Sequence, residues 1–249
     1  MTKAAVLGSP IDHSLSPVLH TAGYRALGMD WTYEKIECTA EQLEGTISDE
    51  YAGYSVTMPC KFAALECADS VSDRAIEIGS ANTLVRTATG WHADNTDCLG
   101  VLGAIAELGF QPSSAVVLGA GGTARAVLWA LRSLGLSHVT VMNRSDRTAE
   151  LASLIDVHWL PLGEIPATDL VVSTLPGDSA KSLSINAPLF DVSYSPWPPP
   201  LIEQAQAKGI PCVGGHVMLA HQAYAQFEQF TGKAAPREQM RAALEAALF

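Results

Sequence analysis

The chain has 249 residues, 48% hydrophobic and only 16% charged, which suffices for two packed domains and excludes a disordered chain. Lys plus Arg number 15 against 26 Asp plus Glu, a formal net charge of −11, which excludes nucleic acid and anionic membrane as broad partners but leaves room for a small anionic substrate held by local groups. The five cysteines (38, 60, 67, 98 and 212) form no C-x-x-C pair, so reduced thiols in a cytoplasmic protein and no metal site are expected; no apolar run has the length of a signal peptide or a membrane span.

In chain order, Ala4–Leu7 reads as a strand, followed by a long polar turn to Pro17. Ser16 before Pro17 matches a helix N-cap with proline at the first helical position, and Val18, Leu19, Ala22, Ala26 and Leu27 mark one helical face. Ser14 and Ser16 lie beyond a strand end, where ligands gather in α/β sheets, so each either bonds a small polar substrate or serves the turn and cap. His13 closes the turn or touches the ligand. Trp31–Ile36 is the second strand, Thr39 with Gln42 is a capping box, and residues 54–56 are a third strand.

In Thr57-Met-Pro-Cys-Lys61, Pro59 fits the first turn of a helix and would leave Lys61 at the positive helix end. A lysine there is a candidate for proton transfer; the alternative is a surface lysine whose stem covers apolar neighbours. Glu77–Val85 is a turn leading into a strand, and residues 87–90 form a hairpin. Asn82, Asn95 and Asp97 are short polar groups between apolar elements. They suit a polyhydroxylated ligand, with Asp97 equally well placed as a cap for the helix that follows.

After Pro112, the apolar run 115–118 breaks into Gly119-Ala120-Gly121-Gly122-Thr123-Ala124 and then a helical pattern to Leu134. Strand, glycine turn and helix in that order form a dinucleotide fingerprint. The turn is tight at Gly119, Gly121 has no side chain to oppose a pyrophosphate, and Ala124 lets helix and sheet approach. The next strand, Val139–Met142, ends without the acid that binds an NAD ribose. Asn143, Arg144 and Arg147 stand there instead, which favours the 2′-phosphate of NADP(H). Residues 149–154 read as helix, 158–160 as a short strand, and 169–173 as a buried strand whose end carries Thr174 near the expected cofactor. Phe190–Tyr194 is another strand end, Ser195–Pro200 is rigid and non-helical, and Cys212-Val213 leads into Gly214-Gly215. Two helices close the chain; Gln222 sits on a mostly apolar face and needs a polar partner, and Pro236 starts the last helix.

These residues are recognisable as a set. Gly8-Ser-Pro-Ile with Ser14-Leu-Ser-Pro17, Ser55-Val-Thr-Met-Pro-Cys-Lys61, Gly79-Ser-Ala-Asn-Thr-Leu84, Asp94-Asn-Thr-Asp97, Gly119–Ala126, Asn143-Arg-Ser145, Asp191–Pro198 and Gly215–Gln222 resemble the shikimate dehydrogenase family over nearly the whole chain, the actinobacterial type most of all. The resemblance implies NADPH-dependent reduction of 3-dehydroshikimate to shikimate, in the pathway to chorismate and the aromatic amino acids. It implies Lys61 and Asp97 as the catalytic pair, and Ser14, Ser16, Thr57, Asn82, Tyr194 and Gln222 as substrate contacts. It implies Gly119–Ala124, Asn143, Arg144, Arg147, Thr174 and Gly215 as cofactor contacts. Two positions depart from the family: Ser55 stands where Asn is usual, and Pro199 where Thr is frequent. The rival readings are an NAD(H)-dependent quinate/shikimate dehydrogenase, an enzyme acting on another small hydroxy acid, and a non-catalytic NADP(H) sensor.

The expected architecture is α/β: a substrate-binding and catalytic domain over 1–98, a Rossmann-like NADP-binding domain over 99–215, and C-terminal helices, 216–249, returning to the first domain. The expected assembly is a monomer or a homodimer.

Overall fold

The structure, a computed structural model, describes residues 1–249. The chain begins β1 (Thr2–Gly8), α1 (Ser16–Ala26), β2 (Trp31–Glu37), α2 (Leu43–Thr46), β3 (Tyr51–Val56), α3 (Ala63–Glu66), β4 (Ser70–Val71), α4 (Asp73–Ile78), β5 (Thr83–Thr87) and β6 (Gly90–Asp94). It continues α5 (Asp97–Glu107), β7 (Ala115–Leu118), α6 (Gly122–Ser133), β8 (His138–Met142), α7 (Thr148–Leu151), β9 (Asp156–Leu160), β10 (Leu170–Ser173), α8 (Gly177–Ala180), β11 (Leu189–Asp191), α9 (Pro200–Ala207) and β12 (Cys212–Gly214). It ends with α10 (Gly215–Thr231) and α11 (Arg237–Leu248). Two compact units result, residues 1–96 with 222–249, and residues 97–221. Each holds one six-stranded sheet, giving the two-part α/β architecture that the alternating pattern implies.

In the first unit the strand order is β2-β1-β3-β5-β6-β4. β1 is buried from Ala4 to Gly8, as a strand with parallel partners on both sides requires. β5 runs antiparallel to β3 and β6, so its first residues lie at the sheet edge where β1, β3 and β6 end. That edge gathers the loops after β1, β3 and β6 and the turn before β5. One face of the sheet packs on a core that includes Cys38, Leu43, Tyr54, Cys60, Leu84 and Trp91. Helix α11 lies against α1.

In the second unit the order is β12-β11-β10-β7-β8-β9, parallel throughout. The order reverses between β7 and β10, the switch point at which such sheets open a crevice beyond their strand ends. Val117, Val172 and Phe190 face one apolar layer with α5 and α6, whereas Leu118, Val171 and Leu189 face the other with α9.

Several local expectations change. Ser16 does not cap α1: it is the first helical residue, Leu15 occupies the cap position, and no side chain caps. Ser16 is buried at the start of α1 instead, 6% exposed. Pro59 does not open a helix. Residues 58–62 are turns, and α3, which begins at Ala63, is four residues long. A single turn carries little dipole, so the helix-end argument for Lys61 falls. Helix α4 was not among the expected elements; Ser72 caps it, accepting the Ala75 N–H at 3.2 Å. Pro200 is the first residue of α9, so the non-helical run ends at Pro199. The capping box stands as expected, with Thr39 N–H donating to Gln42 Oε1 at 3.0 Å.

Candidate active site

In the first unit, backbone hydrogen bonds tie together the loops that carry the polar residues. Thr57 N–H donates to Leu7 O at 2.8 Å and Ser9 N–H to Met58 O at 2.9 Å, which seats the loop after β3 against the loop after β1. Ala81 N–H donates to Lys61 O at 2.9 Å and Val56 N–H to Asn82 O at 2.7 Å, which seats the turn before β5 beside both. Ser14, Ser16, Thr57, Lys61 and Asn82 are thereby brought to one edge of the sheet. Ser14 Oγ accepts the Ser16 N–H at 3.4 Å.

Asn82 is buried and bonded on every side: Oδ1 accepts from Thr96 N–H at 2.7 Å and from the Thr83 hydroxyl at 2.8 Å. Its Nδ2 donates to Thr96 Oγ1 at 3.0 Å and to Gln222 Oε1 at 3.3 Å. Gln222 on α10 therefore has the polar partner its apolar face demands. Asn95 is equally committed, donating to Ser80 O at 2.9 Å, a structural rather than ligand-facing bond.

Asp94 was passed over in the sequence, although it opens the Asp94–Asp97 motif. It accepts from the Ser72 hydroxyl at 2.6 Å, Arg74 Nε at 2.7 Å, Gln229 Nε2 at 2.7 Å and Asn95 N–H at 2.8 Å, and it pairs with Arg74 Nη2 as well. Burial pushes its carboxyl up, but the bonds from Arg74, Ser72 and Gln229 outweigh that and hold it at about 2. The strand end that precedes Asp97 is thus anchored to α4 and α10. An acid closing an otherwise apolar strand is the signal that would have found it.

Asp97 opens α5 and lies, with Tyr194 and the glycine loop, in the second unit. Gly119 follows β7 with φ of +99°, a conformation that favours glycine, and a Cβ there would sit 2.5 Å from Thr174 Oγ1. Thr174 is drawn in because its N–H and hydroxyl both donate to Leu118 O, at 2.8 and 2.9 Å. The loops after β7 and β10 therefore meet at the switch point. Around Gly121 and Gly122 no atom lies within 4 Å of a built Cβ, so the start of the twelve-residue α6 faces open space. Ala124 is fully buried in the layer between α6 and the sheet. Free N–H groups, a positive dipole end and room in front of them suit a pyrophosphate.

At the end of β8, Asn143 Nδ2 donates to Ser145 O at 3.0 Å, and Arg144 is exposed. Arg147 pairs with Glu150 at 2.8 Å on the surface, a bond weak enough for an incoming phosphate to replace. Arg125, not singled out in the sequence, donates to Glu150 O at 2.9 Å and adds a third guanidinium to this corner. Its place one turn inside the glycine motif was the available signal. These groups fit a phosphorylated ribose, and no carboxylate ends β8.

The segment carrying Tyr194 is held from both ends. Asp191 Oδ1 accepts the Ser193 N–H at 2.9 Å; Oδ2 has no hydrogen-bond partner, and burial pushes the carboxyl up to about 6. Gly215 N–H donates to Ser193 O at 3.1 Å, and a Cβ on Gly215 would lie 1.8 Å from Val192 O. Glycine at 215 is thus demanded by this close approach. Tyr194 is half-buried, and burial raises its hydroxyl above the usual range. All five cysteines are free thiols, and no group of three or more His, Cys, Asp or Glu is placed to hold a metal ion. No helix is long and apolar enough to cross a membrane.

Comparison with known proteins agrees with this geometry. Residues 6–84 match the family described as shikimate dehydrogenase substrate binding domain, and residues 215–245 match the shikimate 5′-dehydrogenase C-terminal domain. The shikimate dehydrogenase (NADP(+)) of Citrifermentans bemidjiense is 37% identical, over 98% of this chain and 95% of its own. The crystal structure of Mycobacterium tuberculosis shikimate dehydrogenase is 46% identical with a TM-score of 0.91, covering 99% of this chain and 100% of that one. The Thermus thermophilus shikimate 5-dehydrogenase, crystallised with NADP(H) and shikimate, is 33% identical with a TM-score of 0.89 and covers all of both chains. The chain belongs to the shikimate dehydrogenase family.

Proposed function

We propose that this protein is an NADP(H)-dependent dehydrogenase interconverting 3-dehydroshikimate and shikimate on the route to chorismate and the aromatic amino acids. The observation that carries the reading is the convergence of Ser14, Ser16, Thr57, Lys61 and Asn82, with Gln222 bonded to Asn82, at one sheet edge of the first unit. Hydroxyls, amides and one amine are the groups that a carboxylated, polyhydroxylated ring needs. Ser14 and Ser16 hold the carboxylate with neutral donors, which suits an anionic substrate on an acidic protein. Thr57, Asn82, Gln222 and Tyr194 orient the ring.

Lys61 moves the proton. In reduction its ammonium group donates to the oxygen on C3 as negative charge develops there, and in oxidation its neutral amine takes that hydroxyl proton. Asp97 accepts a hydrogen bond from the same hydroxyl. NADP(H) supplies hydride exchange at C3 when bound. Gly119–Ala124 at the start of α6 would hold its pyrophosphate, Thr174 and Gly215 its nicotinamide end, and Asn143, Arg144 and Arg147 its 2′-phosphate. Identity of 46% to the mycobacterial protein supports the actinobacterial type. The free thiols support a cytoplasmic location.

The test is nicotinamide absorbance with shikimate or quinate, each against NADP⁺ and NAD⁺. Rapid reduction confined to NADP⁺ with shikimate is expected. Preference for NAD⁺ with quinate would overturn the reading of Arg144 and make the protein a quinate/shikimate dehydrogenase.

A further inference from the structure

Ser55, where the family usually carries Asn, is 4% exposed on β3, and its hydroxyl is engaged at both ends. It accepts from the Tyr33 hydroxyl at 2.5 Å and donates to Gln226 Oε1 at 2.6 Å. Gln226, on α10 and 1% exposed, donates through Nε2 to Asn82 O at 2.9 Å and to Thr83 Oγ1 at 3.0 Å. Thr83 passes its proton-donating bond on to Asn82 Oδ1, and Asn82 Nδ2 reaches Gln222 Oε1.

The direction of this relay is fixed. A backbone carbonyl only accepts and a backbone N–H only donates. Gln226 must therefore turn its NH₂ toward Asn82 O, which presents Oε1 to Ser55. Asn82 must turn Oδ1 toward Thr96 N–H, which presents Nδ2 to Gln222. Gln222 then faces Asn82 with its oxygen and keeps its N–H donors for other partners. Flipping either amide would set donor against donor, or carbonyl against carbonyl, in a buried site.

We propose that Gln226 is a positioning residue for substrate recognition: held by Ser55, it seats the Asn82 backbone and aims the Thr83 hydroxyl at Asn82 Oδ1, which together with Thr96 N–H keeps the Asn82 amide facing Gln222. Gln226 spends both ends of its amide on Ser55, Asn82 O and Thr83, so it acts through these groups. The proposal rests on Asn82 and Gln222 being substrate contacts. It also gives Ser55 a role different from that of a substrate ligand, because its hydroxyl belongs to the relay.

Gln226→Met keeps length and apolar volume and removes all three hydrogen bonds. It is expected to raise KM for shikimate about ten-fold, the share of roughly one misplaced hydrogen bond. KM for NADP⁺ should stay within about two-fold. Ser55→Ala, which removes one link, should raise KM for shikimate by about three-fold, and the double variant should be no worse than Gln226→Met alone, since both act through one relay. A purely structural role would lower the thermal midpoint and leave KM for shikimate unmoved. The proposal is overturned if folded Gln226→Met keeps the wild-type KM for shikimate while Gln222→Ala raises it, or if KM rises equally for both ligands. If Gln222→Ala also leaves KM for shikimate unchanged, the substrate reading of this cluster fails and takes the proposal with it. Should Gln226→Met not fold, Ser55→Ala is judged by the same criteria.

Discussion

Asp94→Asn takes one charge from the end of β6 while keeping the side chain's shape. The carboxylate is 3% exposed and receives donors on both oxygens. An amide nitrogen in place of Oδ2 would face Gln229 Nε2 and Arg74 Nη2, donor against donor, and would remove the carboxylate charge that Arg74 meets there. Breaking a buried pair by removing one partner costs ~3–5 kcal/mol, a large part of a stability of ~5–15 kcal/mol. A second component depends on pH. The folded carboxyl titrates at about 2, below its ordinary 3.8, so its contribution is complete above about pH 4 and is lost as pH falls toward 2. The whole component is about 2 kcal/mol, of which about 1 kcal/mol is gone by about pH 3. Urea unfolding of both proteins at about pH 7 and at about pH 3 measures the two together. The expected result is a gap of several kcal/mol at neutral pH that narrows on acidification. A gap below ~1 kcal/mol, or one that does not change with pH, would refute the account of Asp94 as an ionised anchor.

Three further outcomes are expected. His20 is fully buried, stacks on Tyr33 at 4.3 Å, and has no hydrogen-bond partner on either ring nitrogen. Burial drives it down to about 3, with the Gln226 side chain opposing only in part. The fold accepts its neutral form, so stability is complete above about pH 6.5 and falls by on the order of 3–5 kcal/mol as pH drops to about 3; His20→Phe should flatten that slope, and an unchanged slope in thermal melts across this range would locate the acid sensitivity elsewhere. Arg144→Ala should raise KM for NADP⁺ by ~10–100-fold, the worth of a charge-assisted bond, and leave KM for NAD⁺ alone; an equal rise for both would remove Arg144 from the 2′-phosphate. Lys61→Ala should lower kcat by ~10²–10⁴-fold with little change in KM, and a rise in KM at constant kcat would make Lys61 a binding group only.

Local chemistry was legible where one residue type has one use. The glycine turn after an apolar run, the capping box at Thr39 and the missing acid after β8 each follow from steric or charge rules that act within a few residues. Ser16 shows the limit of such rules: Ser-Pro spells a cap, but the helix begins one residue earlier, with Leu15 at the cap position and Ser16 buried in its first turn. Lys61 shows another. Proline after a strand suggested a helix start, whereas the chain needed turns there to meet the loops after β1 and before β5. The Asp94 anchor and the Gln226 relay were invisible because their partners come from far along the chain. Gln229 reaches Asp94 across 135 positions and Gln226 reaches Ser55 across 171. Spacing on α10 hinted at the second, since Gln222 and Gln226 are one turn apart and share a face.

The first unit is discontinuous, and a ribosome meets that fact in time. All six strands of its sheet are made within the first 96 residues, yet α11, which covers α1, and the stretch of α10 that carries Gln222, Gln226 and Gln229 are made last. Until then Ser55, Asn82 and Asp94 lack the glutamines of α10 that complete their bonds, and the side of α1 that meets α11 stands in water. Residues 97–221 are contiguous and complete in the meantime. The nascent chain therefore matures in reverse order, nucleotide half first. Late losses near the C-terminus should strand the recognition half as an exposed, aggregation-prone sheet, even though every loop bearing Ser14, Thr57 and Lys61 has already been synthesised.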